Sequence, residues 1–208
     1  EIPVSYRTTC LGMVFSDASV NLMELVCLDE NGEPVLPVNA MQYPALFDEQ
    51  ELYEDGITYQ DQTIFDEIYH GRTAYEFLHG LPIYENTHPP LGKTLISVGI
   101  AVFGMNPFGW RFMCVVFGSL MMPFIYLFGL RLTGKTRYAC LAAVLLGTDF
   151  MHFTLSRIAT IDIIVAFFIL GMFYFMYAFV SSEKRRYLLL AGLFTGLGCA
   201  TKWTGIYA

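Results

Sequence analysis

The chain has 208 residues, 55% of them apolar and 16% aromatic, with a formal net charge of −7 at pH 7. An acidic balance argues against nucleic-acid binding, which needs a basic stripe to neutralise phosphates. The charge is also unevenly placed: residues 1–90 carry 16 of the 19 acids and 2 of the 12 bases, whereas the remainder is built of long apolar runs with sparse bases. That is the pattern of an aqueous segment joined to a membrane-embedded one.

The sequence opens on Glu1 and closes on Lys202-Trp203-Thr204-Gly205-Ile206-Tyr207-Ala208, and both ends are expected to be cuts in a longer protein. Residues 1–40 read as the C-terminal part of an extracytoplasmic β-sandwich-like insert. Runs over 6–15 and 20–28 are rich in Thr, Val and aromatic residues, and Asp29-Glu30-Asn31-Gly32 is a turn signal between the second run and Pro34-Val35-Leu36-Pro37. Two or three strands do not make a stable sheet alone. The five cysteines are Cys10, Cys27, Cys114, Cys140 and Cys199, with no CxxC pair among them. A zinc or redox motif is therefore not indicated, and a Cys10–Cys27 pairing stays open. Residues 41–61 form an acidic connector.

Residues 62–111 read as an extracytoplasmic loop with interfacial helices. Over 62–79 the apolar residues Ile64, Phe65, Ile68, Tyr69, Tyr75, Phe77 and Leu78 fit an amphipathic helix that ends at Gly80. The pair Pro89-Pro90 suits a helix start, since proline in the first turn loses no helical hydrogen bond. The apolar stretch that follows, 91–104, is too short to cross a bilayer, which takes about 20 residues. It is expected to lie at the membrane surface. Transmembrane helices are expected over about 112–132, 137–156, 161–182 and 187–208, because backbone groups in lipid must be satisfied internally. Arg131, Lys135 and Arg137 fall in one short loop and Lys184, Arg185 and Arg186 in another. Excess positive charge marks cytoplasmic loops, so residues 1–111, the turn over 157–162 and Lys202 face outward.

Charges at the edge of a membrane are costly and call for an explanation by function or pairing. The outward set is Asp66, Glu67, His70, Arg72, His88, Lys93, Arg111, Asp149, His152, Arg157, Asp162 and Lys202. Asp66 or Glu67 can serve as a general base toward an incoming hydroxyl. Glu67 and His70 are also spaced to share a divalent metal, although two ligands do not make a site. Arg157 and Lys202 can neutralise a phosphate. A salt bridge from Arg157 to Asp162 is the structural alternative.

These segments resemble the protein O-mannosyltransferase family. Ile64-Phe65-Asp66-Glu67-Ile68-Tyr69-His70-Gly71-Arg72 is similar to the Asp-Glu segment of its first outer loop, and Thr87-His88-Pro89-Pro90-Leu91-Gly92-Lys93 to its His-Pro-Pro-Leu-Gly-Lys motif. Asn106-Pro107-Phe108-Gly109-Trp110-Arg111, Ser156-Arg157-Ile158-Ala159-Thr160-Ile161-Asp162 and Ala200-Thr201-Lys202-Trp203-Thr204-Gly205 resemble later segments in the same order, so the likeness runs over about 58–208. It implies a mainly α, polytopic membrane bundle of GT-C type, placed in the cell membrane with its active site on the extracytoplasmic face. It implies transfer of mannose or a similar hexose, with inversion, from a polyprenyl-phosphate donor to a hydroxyl of a protein Ser/Thr or a glycan. Asp66 and Glu67 would then be the catalytic carboxylates, with Asp66 the base. His88, Lys93, Arg111, Arg157, Asp162 and Lys202 would be candidates for the donor phosphate and substrate. The strand-rich segment before residue 58 departs from the family pattern and leaves the acceptor open. Two other classes remain at this stage: a glycan-binding membrane receptor or scaffold, and a transporter using Asp149 and His152.

Overall fold

The computed structural model describes residues 25–48, 50 and 62–208, which fall into two units, Glu1–Ile57 and Thr58–Ala208. In the first unit the turn expected at Asp29–Gly32 is present. Leu28 and Pro34 form an antiparallel bridge around it, and Asp29 Oδ1 accepts from the backbone of Asn31 and Glu33 at 2.8 and 2.9 Å. Gly32 sits at φ 84°, a left-handed position that glycine adopts without penalty. Two 3₁₀ turns follow, Ala40–Gln42 and Pro44–Leu46. The expected strands over 6–15 and most of 20–28, Cys10 and most of the acidic connector lie outside the described residues.

The second unit is helical. Its elements are α1 (Glu67–His79), α2 (Leu91–Phe103), α3 (Pro107–Thr133), α4 (Thr136–Thr148), α5 (Phe150–Leu155), α6 (Ile161–Ser182) and α7 (Arg185–Thr201), with a closing 3₁₀ segment Trp203–Tyr207. Helix α1 starts five residues later than its apolar pattern suggests, because Phe65 takes φ 56° and breaks the helical path. A bulky residue there is a steric outlier. The helix ends at Gly80, which is left-handed at φ 64°. Helix α2 buries Gly92, Lys93, Ile96, Ser97, Gly99 and Ile100 along one stripe, the i, i+3/i+4 spacing of a packed face.

Helices α3 and α6 are long and apolar enough to cross a membrane. With 27 and 22 residues, they are about 40 and 33 Å long at 1.5 Å per residue. Asn106 caps α3 by accepting from Gly109 N at 2.9 Å, and Pro107 occupies the first turn. Phenylalanines tie α3, α6 and α7 together: the rings of Phe117 and Phe167 lie 5.1 Å apart, those of Phe124 and Phe167 5.4 Å, and those of Phe175 and Phe194 5.1 Å. Such pairs contribute roughly 0.5–1.5 kcal/mol each beyond the area they bury.

Two expected spans differ from the structure. The run over 137–156 is not one helix, since it breaks at Asp149, whose ψ of 125° is extended. The Asp149 carboxylate accepts from His152 N at 2.7 Å and so caps a new, short helix, as a short polar side chain does when it competes with the helical ladder. The run over 187–208 stops at Thr201. Lys202 is extended at φ −151°, ψ 143°, and the chain turns back on α7, where a Cβ on Gly205 would overlap the backbone of Gly198 and Cys199.

Candidate functional site

Glu67 organises this end of the bundle. It is fully buried at 0% exposure. Its Oε1 accepts from Arg111 Nε and from Ala159 N, both at 2.7 Å, and its Oε2 accepts from Arg111 NH2 and Ile64 N, again at 2.7 Å. The Arg111 pair is the bidentate fork that a guanidinium makes best. Arg111 also donates to Gln62 O at 2.9 Å. One carboxylate thus joins the turn before α1, the first turn of α3 and the loop entering α6. Sequence reasoning grouped Glu67 with the catalytic carboxylates; in the structure all four of its lone-pair directions are taken by protein donors. The same saturation removes Glu67 from the metal pair suggested by its spacing to His70, and no group of three or more His, Cys, Asp and Glu suited to a metal occurs among the described residues.

Asp66 is different. It is half-buried, sits at the N-terminal boundary of α1 directly after Phe65, and makes no side-chain capping bond. Four residues on, His70 is 4% exposed and its ring centroid is 6.5 Å from that of His88. Burial, with the Lys93 ammonium beside it, pulls the His70 imidazole down to about 4. Nδ1 of both histidines and Thr73 Oγ1 are buried without a hydrogen-bond partner among the described residues.

Lys93, proposed from sequence for a donor phosphate, is instead 1% exposed and paired with the Glu85 carboxylate, while also donating to Glu85 O at 2.9 Å. Burial acts to raise the Glu85 carboxyl, but the bonds from Lys93 and Thr87 overcome it and bring it to about 2. Glu85 was not legible as a partner, because nothing periodic links a loop residue to a helix eight positions on. Glu76 was missed for the same reason. It accepts from Arg72 Nε and from Tyr84 N, each at 2.8 Å, and pins the loop between α1 and α2.

Asp162 pairs with Lys202, at 2.6 Å, and not with Arg157. The first turn of α6 is thereby tied to the end of α7, and Trp203 Nε1 continues the link to Thr87 O at 2.9 Å. Arg157 is exposed. It has no carboxylate partner among the described residues, and its guanidinium lies 4.8 Å from the centre of the Phe153 ring. It lines a cavity of about 570 Å³ together with Ile64, Arg111, Val115 and Phe153. A second cavity of about 310 Å³ shares Val115, Phe153 and Arg157 with it and is also lined by Gly118 and Met122. His152 Nε2 lies 3.2 Å from Gly118 O at its edge.

Residues 87–208, more than half of the chain, match the family described as Dolichyl-phosphate-mannose-protein mannosyltransferase. The chain belongs to this family. Among its relatives, a polyprenol-phosphate-mannose–protein mannosyltransferase of Mycobacterium tuberculosis is 30% identical over 173 residues, covering 69% of this chain and 33% of the relative. Dolichyl-phosphate-mannose–protein mannosyltransferase 1 of Saccharomyces cerevisiae is 26% identical over 176 residues, covering 73% of this chain and 21% of the relative. The chain therefore spans about a third of the length of the mycobacterial mannosyltransferase. The crystal structure of ArnT from Cupriavidus metallidurans in the apo state, a GT-C protein, superposes with a TM-score of 0.62 at 20% identity, covering 71% of this chain and 30% of that one. This likeness is one of fold. The described residues hold an Asp-Glu pair whose members have opposite surroundings, and two cations on one cavity, Arg111 paired with Glu67 and Arg157 with no carboxylate partner among the described residues.

Proposed function

We propose that the full protein transfers mannose from a polyprenyl-phosphate donor to a hydroxyl of a protein Ser/Thr or a glycan, at the extracytoplasmic face of the cell membrane and with inversion. The supporting observation is the Glu67 clamp. Glu67 is adjacent to Asp66, and the Ala159 amide it binds is two residues from Arg157. A saturated carboxylate thus fixes the relative positions of two side chains that make no ion pair of their own among the described residues. Asp66 takes the proton of the acceptor hydroxyl. The hydroxyl oxygen bonds to the anomeric carbon from the face opposite the leaving group. The bond from that carbon to the phosphate oxygen breaks, and the electron pair leaves with the lipid phosphate. Arg157 is the cation for that phosphate, because Lys93, Arg111 and Lys202 are each committed to a carboxylate. Asp162 acts by holding the end of α7 through Lys202. The apolar cavity wall accommodates the carrier next to the phosphate.

The test is transfer from radiolabelled polyprenyl-phosphate-mannose to a Ser/Thr peptide by the full-length protein in proteoliposomes. Asp66→Asn is expected to lower kcat by about 10²-fold or more, the size typical of a lost general base. Transfer at the wild-type rate by that variant rejects the assignment.

A further inference from the structure

His70 is not used by the mechanism above, yet it is buried one helical turn from the proposed base. Residues at i and i+4 are neighbours on a helix surface, so the imidazole and the Asp66 carboxylate share a face of α1. The charged and titratable groups that act on His70 are Lys93 from α2, Asp66 at the start of α1, and Glu85 and His88 from the loop between the two helices; the buried Nδ1 of His70 has no hydrogen-bond partner among the described residues, and its ring centroid is 6.5 Å from that of His88. From α3, Arg111 is turned to Glu67. An imidazolium in this position would pair with Asp66 and neutralise it, whereas an uncharged imidazole keeps one N–H to offer the carboxylate and leaves its charge in place. The buried Lys93 ammonium opposes a second positive charge beside it, and Glu85 keeps that ammonium fixed.

We infer that His70 is a positioning residue for this reaction: its buried imidazole, one helical turn from Asp66, orients the base without neutralising it. The contact is expected to tighten when substrates bind, as catalytic hydrogen bonds do. The inference rests on the reading of Asp66 as the base.

The experiment compares Asp66→Asn, His70→Ala, His70→Gln, Lys93→Met and the double variant Lys93→Met/His70→Gln in the full-length protein, by transfer rate against pH. His70→Ala is expected to lower kcat about tenfold with the KM for donor unchanged, the cost of a misoriented group. His70→Gln, which keeps an uncharged donor, recovers most of that loss. Lys93→Met moves the acidic limb of the profile upward by about 1 pH unit, because the imidazole loses the cation that opposes its protonation. The shift is absent when residue 70 is Gln. A wild-type kcat in His70→Ala, a loss that Gln does not rescue, or a limb shift independent of residue 70 overturns the inference. Should Lys93→Met fail to fold, the kcat comparison of the two His70 variants decides. Full transfer by Asp66→Asn removes both readings. An inactive Asp66→Asn beside a wild-type-like His70→Ala removes only this one.

Discussion

Asp66 and Glu67 are adjacent carboxylates in opposite situations, so their substitutions separate cleanly. Removing Glu67 takes the buried carboxylate away from the Arg111 guanidinium and from the amides of Ile64 and Ala159. Breaking a buried pair from one side costs about 3–5 kcal/mol, so Glu67→Ala is expected to lower the melting temperature of the solubilised protein markedly. Asp66→Asn removes no side-chain hydrogen bond among the described residues and is expected to change stability by less than about 0.5 kcal/mol while transfer is lost. Thermal melts of the two variants side by side check this; equal melting temperatures would contradict the clamp. From sequence the pair was legible as a unit, since both residues sit in the segment that resembles the family's Asp-Glu motif. The division of labour was not, because it depends on Arg111 and Ala159, which lie 44 and 92 positions away. Periodicity and spacing carry no information about contacts at that separation.

At the scale of elements, the α1–α2 pair carries a second pH dependence, one of stability. The His70 imidazole is lowered from 6.5 to about 4, so between those values the unfolded chain binds the proton that the folded one refuses. Stability contributed by this group is present above 6.5 and is lost as pH falls toward 4. The Glu85 carboxyl is lowered from 4.5 to about 2, so its contribution is present above 4.5 and is lost as pH falls toward 2. Both act in the same direction in successive windows. Hydrogen exchange of α1 and α2 amides is expected to show protection declining in two steps on acidification. His70→Gln should flatten the upper step and Glu85→Gln the lower. A single step unaffected by His70→Gln would show that burial of the imidazole is not what opposes protonation there. The helices themselves were readable in the sequence from their apolar stripes, and Gly92 of the His-Pro-Pro-Leu-Gly-Lys run shows the limit of that reading. A Cβ there would lie 2.6 Å from Ile161 Cγ2 and 3.1 Å from Thr201 Cγ2, so this glycine permits α2 to meet α6 and α7. The breaks at Asp149 and Thr201 were likewise hidden, because an apolar run looks the same whether or not one side chain caps a new helix within it.

Across the whole helical unit, the two ends of the bundle differ in chemistry. At one end Glu67 with Arg111, Asp162 with Lys202, and Trp203 with Thr87 join α1, α3, α6 and α7. At the other, the Arg131 guanidinium lies 5.7 Å from the Tyr174 ring and 5.0 Å from the Tyr187 ring, close to Lys184, Arg185 and Arg186 at the start of α7. Cations at the first end are neutralised by carboxylates, apart from Arg157, whereas at the second Arg131, Lys135, Arg137 and Arg186 lie over aromatic rings and have no carboxylate partner among the described residues. An excess of unneutralised Lys and Arg is what holds a loop in the cytoplasm, and on the function proposed above the Glu67 end is the one expected to face outward, toward a water-borne acceptor. Single cysteines at the exposed positions Asn86 and Lys184, placed in a cysteine-free form of the full-length protein, read this directly. In intact cells a membrane-impermeant maleimide is expected to label position 86, and position 184 only after permeabilisation. Labelling of 184 alone in intact cells would put the Asp66 carboxylate on the wrong side for an external hydroxyl and end the transfer scheme, whatever the stability data show, and labelling of both would contradict the assignment of the basic end to the cytoplasm.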